Sequence, residues 1–493
     1  MSKLSSFRKV PPTRLGLAFL AVSSMAAALI FVSCGGSSTT MSSTATGAIH
    51  VSITDPPSCA FPNGSFDHVY VSIRSVQANV SSTADDNSSG WQELAPQLNT
   101  TPMQIDLFAA ASTTCLLTNL GSNTALPAGS YQQIRLILVP NDGSGGATPS
   151  TNACGSQGWN CAIAHDGTVH ELQLSSQANT GLKIPPGQVV GGPIVVNAGQ
   201  DVDLNIDFNA CASIVHQGNG KYRLKPVLTA GQVSTNTSGI SGKVVDSATG
   251  MPVVGGTVLV ALEKTDGTGT DTIYQQAAVD SSGLFNFCPL PAGSTFDVVA
   301  VAINGAGVAY NATVVTSVPG GTNLGNLTLI PETGLATGPA TLQGFVTAVN
   351  GTTAASIDAA VSAQQTFTLS GSGTRTIVVP ADTGSTSNIS VDASTSCPSG
   401  APANSNCAQY TLLVAPSNPQ VGTITGGVVS FTPPAGGKVL YGVRADASVP
   451  LSGGTPSCTP ATQTTTMDST SNPLAVTPGT TTVPALLNFT GCS

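Results

Sequence analysis

Charge is what this chain has least of: Asp, Glu, Lys and Arg make up 8% of its 493 residues, aromatics only 5%, and there are five histidines. Nothing resembles the clustered Lys/Arg footprint needed to neutralise a phosphate backbone, which excludes nucleic acid as a partner. No G-x-S-x-G elbow, no CxxC pair and no HExxH helix occurs. Their absence removes the most recognisable serine-hydrolase, redox or zinc-cluster, and metalloprotease signatures. What is abundant is small and turn-forming, with 54 glycines and 33 prolines among many Ser, Thr, Ala and Val residues. Such a composition suits an exported protein of β-modules joined by Gly- and Pro-rich turns. The length allows about three domains of ~150 residues each.

The N-terminus sets the compartment. Lys3, Arg8, Lys9 and Arg14 precede an uncharged apolar run from Leu15 through Val32. That is the layout of a secretory signal. The run ends in Phe31-Val32-Ser33-Cys34-Gly35-Gly36, which resembles the bacterial lipobox. The resemblance implies that Cys34 is lipidated, palmitate included, and becomes the mature N-terminus. Phe31 stands where the pattern usually has Leu. Gly35, with no Asp after Cys34, resembles lipoproteins forwarded to the outer membrane. The alternative is an uncleaved transmembrane anchor, since about 18 apolar residues can just span a bilayer. Ser23, Ser24 and a run of alanines make this stretch weakly hydrophobic for that purpose. Removal of the signal takes four basic residues and no acid, moving the formal charge from −9 to −13.

Ten cysteines remain besides Cys34, and an even set in an exported chain reads as disulfides. Cys154 with Cys161 would close a small loop around Trp159, Cys397 with Cys407 another, and Cys458 with Cys492 would pin the C-terminus. Cys59 with Cys115 is the best pairing for a longer loop. That leaves Cys211 and Cys288 on either side of a domain boundary, where a bridge would lock two domains together.

Residues 34–47 form a flexible tether. From Ala48 the pattern becomes alternating: Ile49, Val51 and Ile53 point one way, as in a half-buried strand. Further strands are expected at Asp67–Ile73 and Val76–Val80, Ile134–Val139, Val169–Leu174, Asp201–Phe208 and Tyr222–Leu228. Ile105–Leu120 reads as a short helix or loop, and Leu126–Tyr131 as a turn. The ordered motifs Gly47–Pro56, Val69–Ile73, Trp91, Ile105–Leu107, Leu126–Leu136, Asp203–Phe208 and Tyr222–Pro226 resemble a bacterial lipoprotein family known as domain of unknown function 4382. The resemblance covers about 48–232 and implies a β-rich exported domain. After a linker at Ser234–Ser238, Ile240–Asp246, Thr249–Val258, Asp280–Phe287 and Leu290–Gly293 resemble the carboxypeptidase regulatory-like module. This implies a prealbumin-like or starch-binding-like β-sandwich over 239–331, without protease chemistry of its own. Thr341–Val346 echoes Gly239–Val244, and six further strands make 340–493 a third sandwich. The expected fold is therefore all-β: tandem Ig-like or prealbumin-like sandwich modules after a lipoprotein signal (1–33) and tether.

Two constellations stand out. Asp201, Asp203, Asn205 and Asp207 alternate, so on a strand they share one face, where four oxygen ligands could hold Ca²⁺. The commoner use of that pattern is the wet face of an amphipathic strand, and no other cofactor is indicated. His165-Asp166-Gly167-Thr168-Val169-His170-Glu171 brings two imidazoles near carboxylates, best read as a hairpin with surface histidines. With His50, His68 and His216 they leave a metal-dependent hydrolase as a weak alternative. Trp91, Trp159 and the seven tyrosines could stack on sugars, although core or interface packing is the commoner use of such aromatics; the starch-binding-like resemblance of 239–331 makes a carbohydrate-binding lipoprotein the stronger alternative. The leading expectation is a non-catalytic envelope lipoprotein, membrane-bound through its N-terminal lipid, that binds polysaccharide or an envelope protein or acts structurally.

Overall fold

The computed structural model describes residues 45–54, 66–85, 87–108, 118–174, 181–184, 189–190, 192–208, 210–217, 220–225, 227–233, 239–279, 281–288, 290, 293–334, 336–369, 373–381, 385–393, 397–448 and 458–492. The signal, Cys34 and most of the tether lie outside these residues. Among the described residues the chain is all-β: only the helix Ala210–Ser213 and two 3-10 turns, Pro96–Asn99 and Gly155–Gln157, interrupt the strands. No helix there is long and apolar enough to cross a membrane. β-branched residues and turn-forming glycines produce this bias, because branched side chains pack well on a pleated surface.

The alternation at Ile49, Val51 and Ile53 builds the strand Thr46–Thr54, whose three apolar side chains are each buried. It pairs in parallel with Asp201–Phe208 and antiparallel with Thr118–Pro127. A second sheet, led by Phe66–Asn79, lays Val69, Val71, Ile73 and Val76 against the first in one core. The helix or loop expected over Ile105–Leu120 is not seen in its described parts. Met103–Asp106 is a strand paired with Tyr70–Ile73, and the strand Thr118–Pro127 begins at the far end. Those pairings satisfy backbone groups that an isolated short helix would leave open at its ends. The turn expected over Leu126–Tyr131 narrows to Ala128, between Thr118–Pro127 and Gly129–Tyr131.

The second sandwich repeats this plan. Ile240–Asp246 lies between Leu284–Phe287, antiparallel, and Asn323–Leu329, parallel. Facing it is a sheet in the order Asp271–Ala278, Thr257–Thr265, Thr295–Ile303, Thr313–Pro319. Phe285, Phe287 and Leu327 from one sheet meet Val260, Phe296 and Val298 from the other. In the third, Ala340–Asn350 runs antiparallel to Asn406–Val414 and parallel to Thr481–Thr482 and Leu487–Phe489. Its facing sheet is centred on Ile357–Leu369. The echo between Gly239–Val244 and Thr341–Val346 thus falls on strands in equivalent places. Each opening strand has one antiparallel neighbour and one parallel neighbour drawn from late in its module, a return that needs a long connection.

The sheets continue from module to module. Thr313–Pro319 pairs in parallel with Gln420–Thr425, so a hairpin of the third module, completed by Val428–Thr432, extends the second module's sheet to six strands. Ile214–His216 meets Asn388–Val391 at the pair His216 and Ile389, joining first and third modules in a 14-stranded sheet. Cys154–Cys161, Cys397–Cys407 and Cys458–Cys492 are bridged, with Cα separations of 5.6, 5.2 and 3.9 Å. Cys288 is also disulfide-bonded. The side chain of Cys211, together with Cys59 and Cys115, lies outside the described set.

Candidate functional site

The alternating acids of Asp201–Phe208 do not form a uniformly wet face. Asp201 is exposed and Asp203 half-buried, but Asn205 and Asp207 are only 6% and 2% exposed. The strand is central in its sheet, between Thr46–Thr54 and Leu228–Val233, and the second module covers its end. Asn205 Nδ2 donates to Thr54 Oγ1 (2.9 Å) and Gln275 Nε2 of the second module donates to Asp207 Oδ1 (2.9 Å). Burial pushes the Asp207 carboxyl up to about 7, against the hydrogen bonds from Gln275 and Thr54. Asp207 is therefore part of a module contact. Among the described residues no three His, Cys, Asp or Glu side chains gather as a metal-holding group.

The histidine segment forms a hairpin between Cys161–Ala164 and Val169–Leu174. His165 Nδ1 contacts the Asp67 carboxylate and His68 Nδ1 lies 2.6 Å from Asp106 Oδ2. His170 instead packs edge-on against Tyr222 and Phe66, at ring distances of 5.0 and 6.2 Å. His165 and His170 thus find separate partners. His50 sits opposite Asp203 in the parallel register, and His216 is described by its backbone alone. Of the tyrosines and tryptophans, Tyr131, Tyr274, Tyr310, Tyr410 and Tyr441 are buried, and Tyr70, Tyr222, Trp91 and Trp159 are half-buried. Trp91 carries the Arg135 guanidinium over its ring at 4.2 Å, a cation–π contact within the module.

The strongest electrostatic feature is one the sequence reading passed over. Glu263, Asp271 and Asp297 stand on three adjacent strands of the second module, 0%, 0% and 2% exposed. Arg375, from the third module's strand Gly373–Val379, reaches two of them, Asp297 and Asp271. Its Nε is 2.9 Å from Asp297 Oδ2 and its Nη1 3.9 Å from Asp271 Oδ1. The Nε–H is not aligned for a hydrogen bond with that oxygen. Nη1 donates to Thr265 Oγ1 (2.6 Å), and the Val378 N–H donates to Glu263 Oε2 (3.0 Å). Burial, reinforced by the negative charges of Asp271 and Asp297, raises Glu263 well above the usual carboxylate range. Burial likewise brings Asp271 to about 7, opposed by a hydrogen bond from Thr265, reinforced by Asp297 and opposed more weakly by Arg375. The available signal was a lone acid inside an otherwise apolar strand, as in Thr257–Thr265 and Thr295–Ile303, where both faces are covered.

Two hollows flank this group. A largely apolar cavity of about 270 Å³ is lined by residues of all three modules, among them Val227, Ile273, Val361 and Val379, with Arg444 and Asp446. A polar cleft of about 500 Å³, lined by Thr265, Thr268, Thr316, Thr374 and Arg375, lies between the second and third modules.

The fold defines an all-β protein of packed sandwiches. Within it, residues 46–226 match the family model described as domain of unknown function DUF4382. No curated protein matches the chain. Among solved structures, the shaft pilin SpaA of Lactobacillus rhamnosus GG is similar at 12% identity over 59% of this chain and 99% of that one, with a TM-score of 0.17. The Bacillus anthracis TIE protein is similar at 9% identity over 90% of this chain and 51% of that one, TM-score 0.15. A DUF3823 family protein from Bacteroides uniformis reaches 12% identity over 44% and 91% of the two chains, TM-score 0.15. At such scores these likenesses carry no argument about function.

Proposed function

We propose that the chain is a non-catalytic protein of the bacterial cell envelope with an adhesive or structural role, held by a lipid on Cys34 and carrying its three sandwiches as one stiff body. The supporting observation is strand pairing between modules, Thr313–Val315 with Gln420–Gly422 and His216 with Ile389. Backbone hydrogen bonding across module boundaries resists bending in a way that bare linkers do not. In this reading residues 239–331 act as a carboxypeptidase regulatory-like sandwich that folds and packs, and the protein resides at the outer membrane. Its partner is an envelope protein or a polysaccharide.

The test expresses the full chain, signal included, in a two-membraned bacterium supplied with a palmitate analogue. Label in the outer-membrane fraction that disappears in Cys34→Ser supports the tether; label-free, soluble protein overturns it. Cells displaying the protein are then applied to arrays of polysaccharides, peptidoglycan fragments and envelope proteins. Saturable retention on one class identifies the partner. Turnover of any arrayed substrate would replace the non-catalytic reading.

A further inference from the structure

The group around Arg375 has more acid than one cation can balance. Three carboxylates are buried beside one guanidinium, whose side chain is 15% exposed, and Arg375 is the only cation that the described ion pairs bring to the group, through Asp271 and Asp297. Glu263 Oε1 has no hydrogen-bond partner among the described residues, and the oxygens of Asp271 have only the Thr265 hydroxyl and the neighbouring Asp297 carboxyl beside them. Fully ionised, the group would hold two uncompensated negative charges in a low-dielectric interior, an arrangement that costs several kcal/mol per ion and is relieved by taking up protons. We propose that Glu263, Asp271, Asp297 and Arg375 form a proton-held lock between the second and third modules, closed when the carboxylates share protons and loosened when they lose them.

The geometry places the lock where it governs a joint. Glu263 is contributed by the strand Thr257–Thr265, Asp271 by Asp271–Ala278, Asp297 by Thr295–Ile303 and Arg375 by Gly373–Val379. These are the charged groups that face one another from the four strands. Asp266, in the adjoining loop, is exposed and held by its own turn. Around the lock the modules join through few other backbone contacts: the Val378 N–H to Glu263, the Thr376 N–H to Gly269 O (2.9 Å), and the bridge of Thr270 with Thr376. Ionisation of Glu263 and Asp271 therefore acts on the segment that docks Gly373–Val379. Asp271 also lines the 270 Å³ cavity.

The direction is set by linkage. A carboxyl whose closed-state pKa is raised binds more protons closed than open, so closure is strongest at low pH and weakens as pH rises towards the raised value. With Asp271 at 3.8 when open and about 7 when closed, opening is favoured about thirtyfold more at pH 8.5 than at pH 5.5.

Hydrogen exchange of the full chain at pH 5.5 and 8.5, corrected for intrinsic exchange rates, reads this directly at the amides of Thr376 and Val378. The expected result is a loss of protection of about thirtyfold on going to pH 8.5, confined to residues 373–381 and their partners, with Ala340–Asn350 unchanged. Glu263→Gln and Asp271→Asn, made singly and together, should each flatten that dependence while preserving shape. Should the double variant not fold, the two single variants still decide. A wild-type profile flat with pH, or a slope untouched in both single variants, overturns the proposal.

Discussion

The contact between the first and second modules and the one between the second and third are both polar and buried, yet they handle charge differently. At the first, a single acid, Asp207, meets the neutral amide of Gln275. At the second, three buried acids stand together and two of them, Asp271 and Asp297, face one arginine. The Gln275 amide favours the ionised form of Asp207, so at the first contact a neutral donor offsets part of the burial cost when the proton leaves. The second has one cation for three acids, so the first proton lost is balanced by Arg375 and each further one adds an uncompensated charge among buried groups. A buried polar contact is thus characterised by its balance of donors, charges and protons, and burial alone does not distinguish the two.

The contrast is broken most severely by Arg375→Met, which keeps much of the side-chain volume and removes the cation. We expect a loss of about 3–5 kcal/mol in urea denaturation of the whole chain at pH 7.5, with the loss shrinking at pH 5 as the three acids take up protons. Asp207→Asn sharpens the contrast from the other side. Asp207 is raised from 3.8 to about 7 in the fold, so its contribution falls as pH climbs from 4 through 7. The wild type should lose on the order of 2 kcal/mol between pH 5 and pH 8 on this account, and the Asn variant should be flatter by that amount when both are followed by denaturant titration. The smallest effect belongs to His165→Ala. The pair it makes with Asp67 has side chains 66% and 46% exposed, and such surface pairs are worth about 0–1 kcal/mol. A melting temperature within a degree or two of wild type is expected; a large drop would mean that the surface hairpin matters more than the buried junctions.

Much of the fold was legible because strand periodicity is local. Ile49, Val51 and Ile53 announced a buried face, and that face is buried. Short spacings also announced Cys154 with Cys161 and Cys397 with Cys407, since few residues separate each pair and loop closure is then easy. The acids were misjudged for a definite reason. Alternation from Asp201 to Asp207 says which residues share a face, and says nothing about what covers it; Asp207 lies beneath Gln275, from a strand 68 residues away in sequence. Thr118–Pro127 was hidden for a related reason: its Gly, Ser and Asn residues carry little strand signal, and pairing with Thr46–Thr54 makes it a strand.

By itself the sequence determined the all-β character, the positions of most strands and the two short bridges, Cys154–Cys161 and Cys397–Cys407, because side-chain branching, alternation and cysteine pairs 7 and 10 residues apart act locally. Only the tertiary structure decided that the sheets run on from module to module, and that Asp271 and Asp297, beside Glu263, share one arginine from more than 70 residues further along the chain. Those outcomes depend on which faces meet and how much water they exclude, and the energy of a buried charge is set by its neighbours in space.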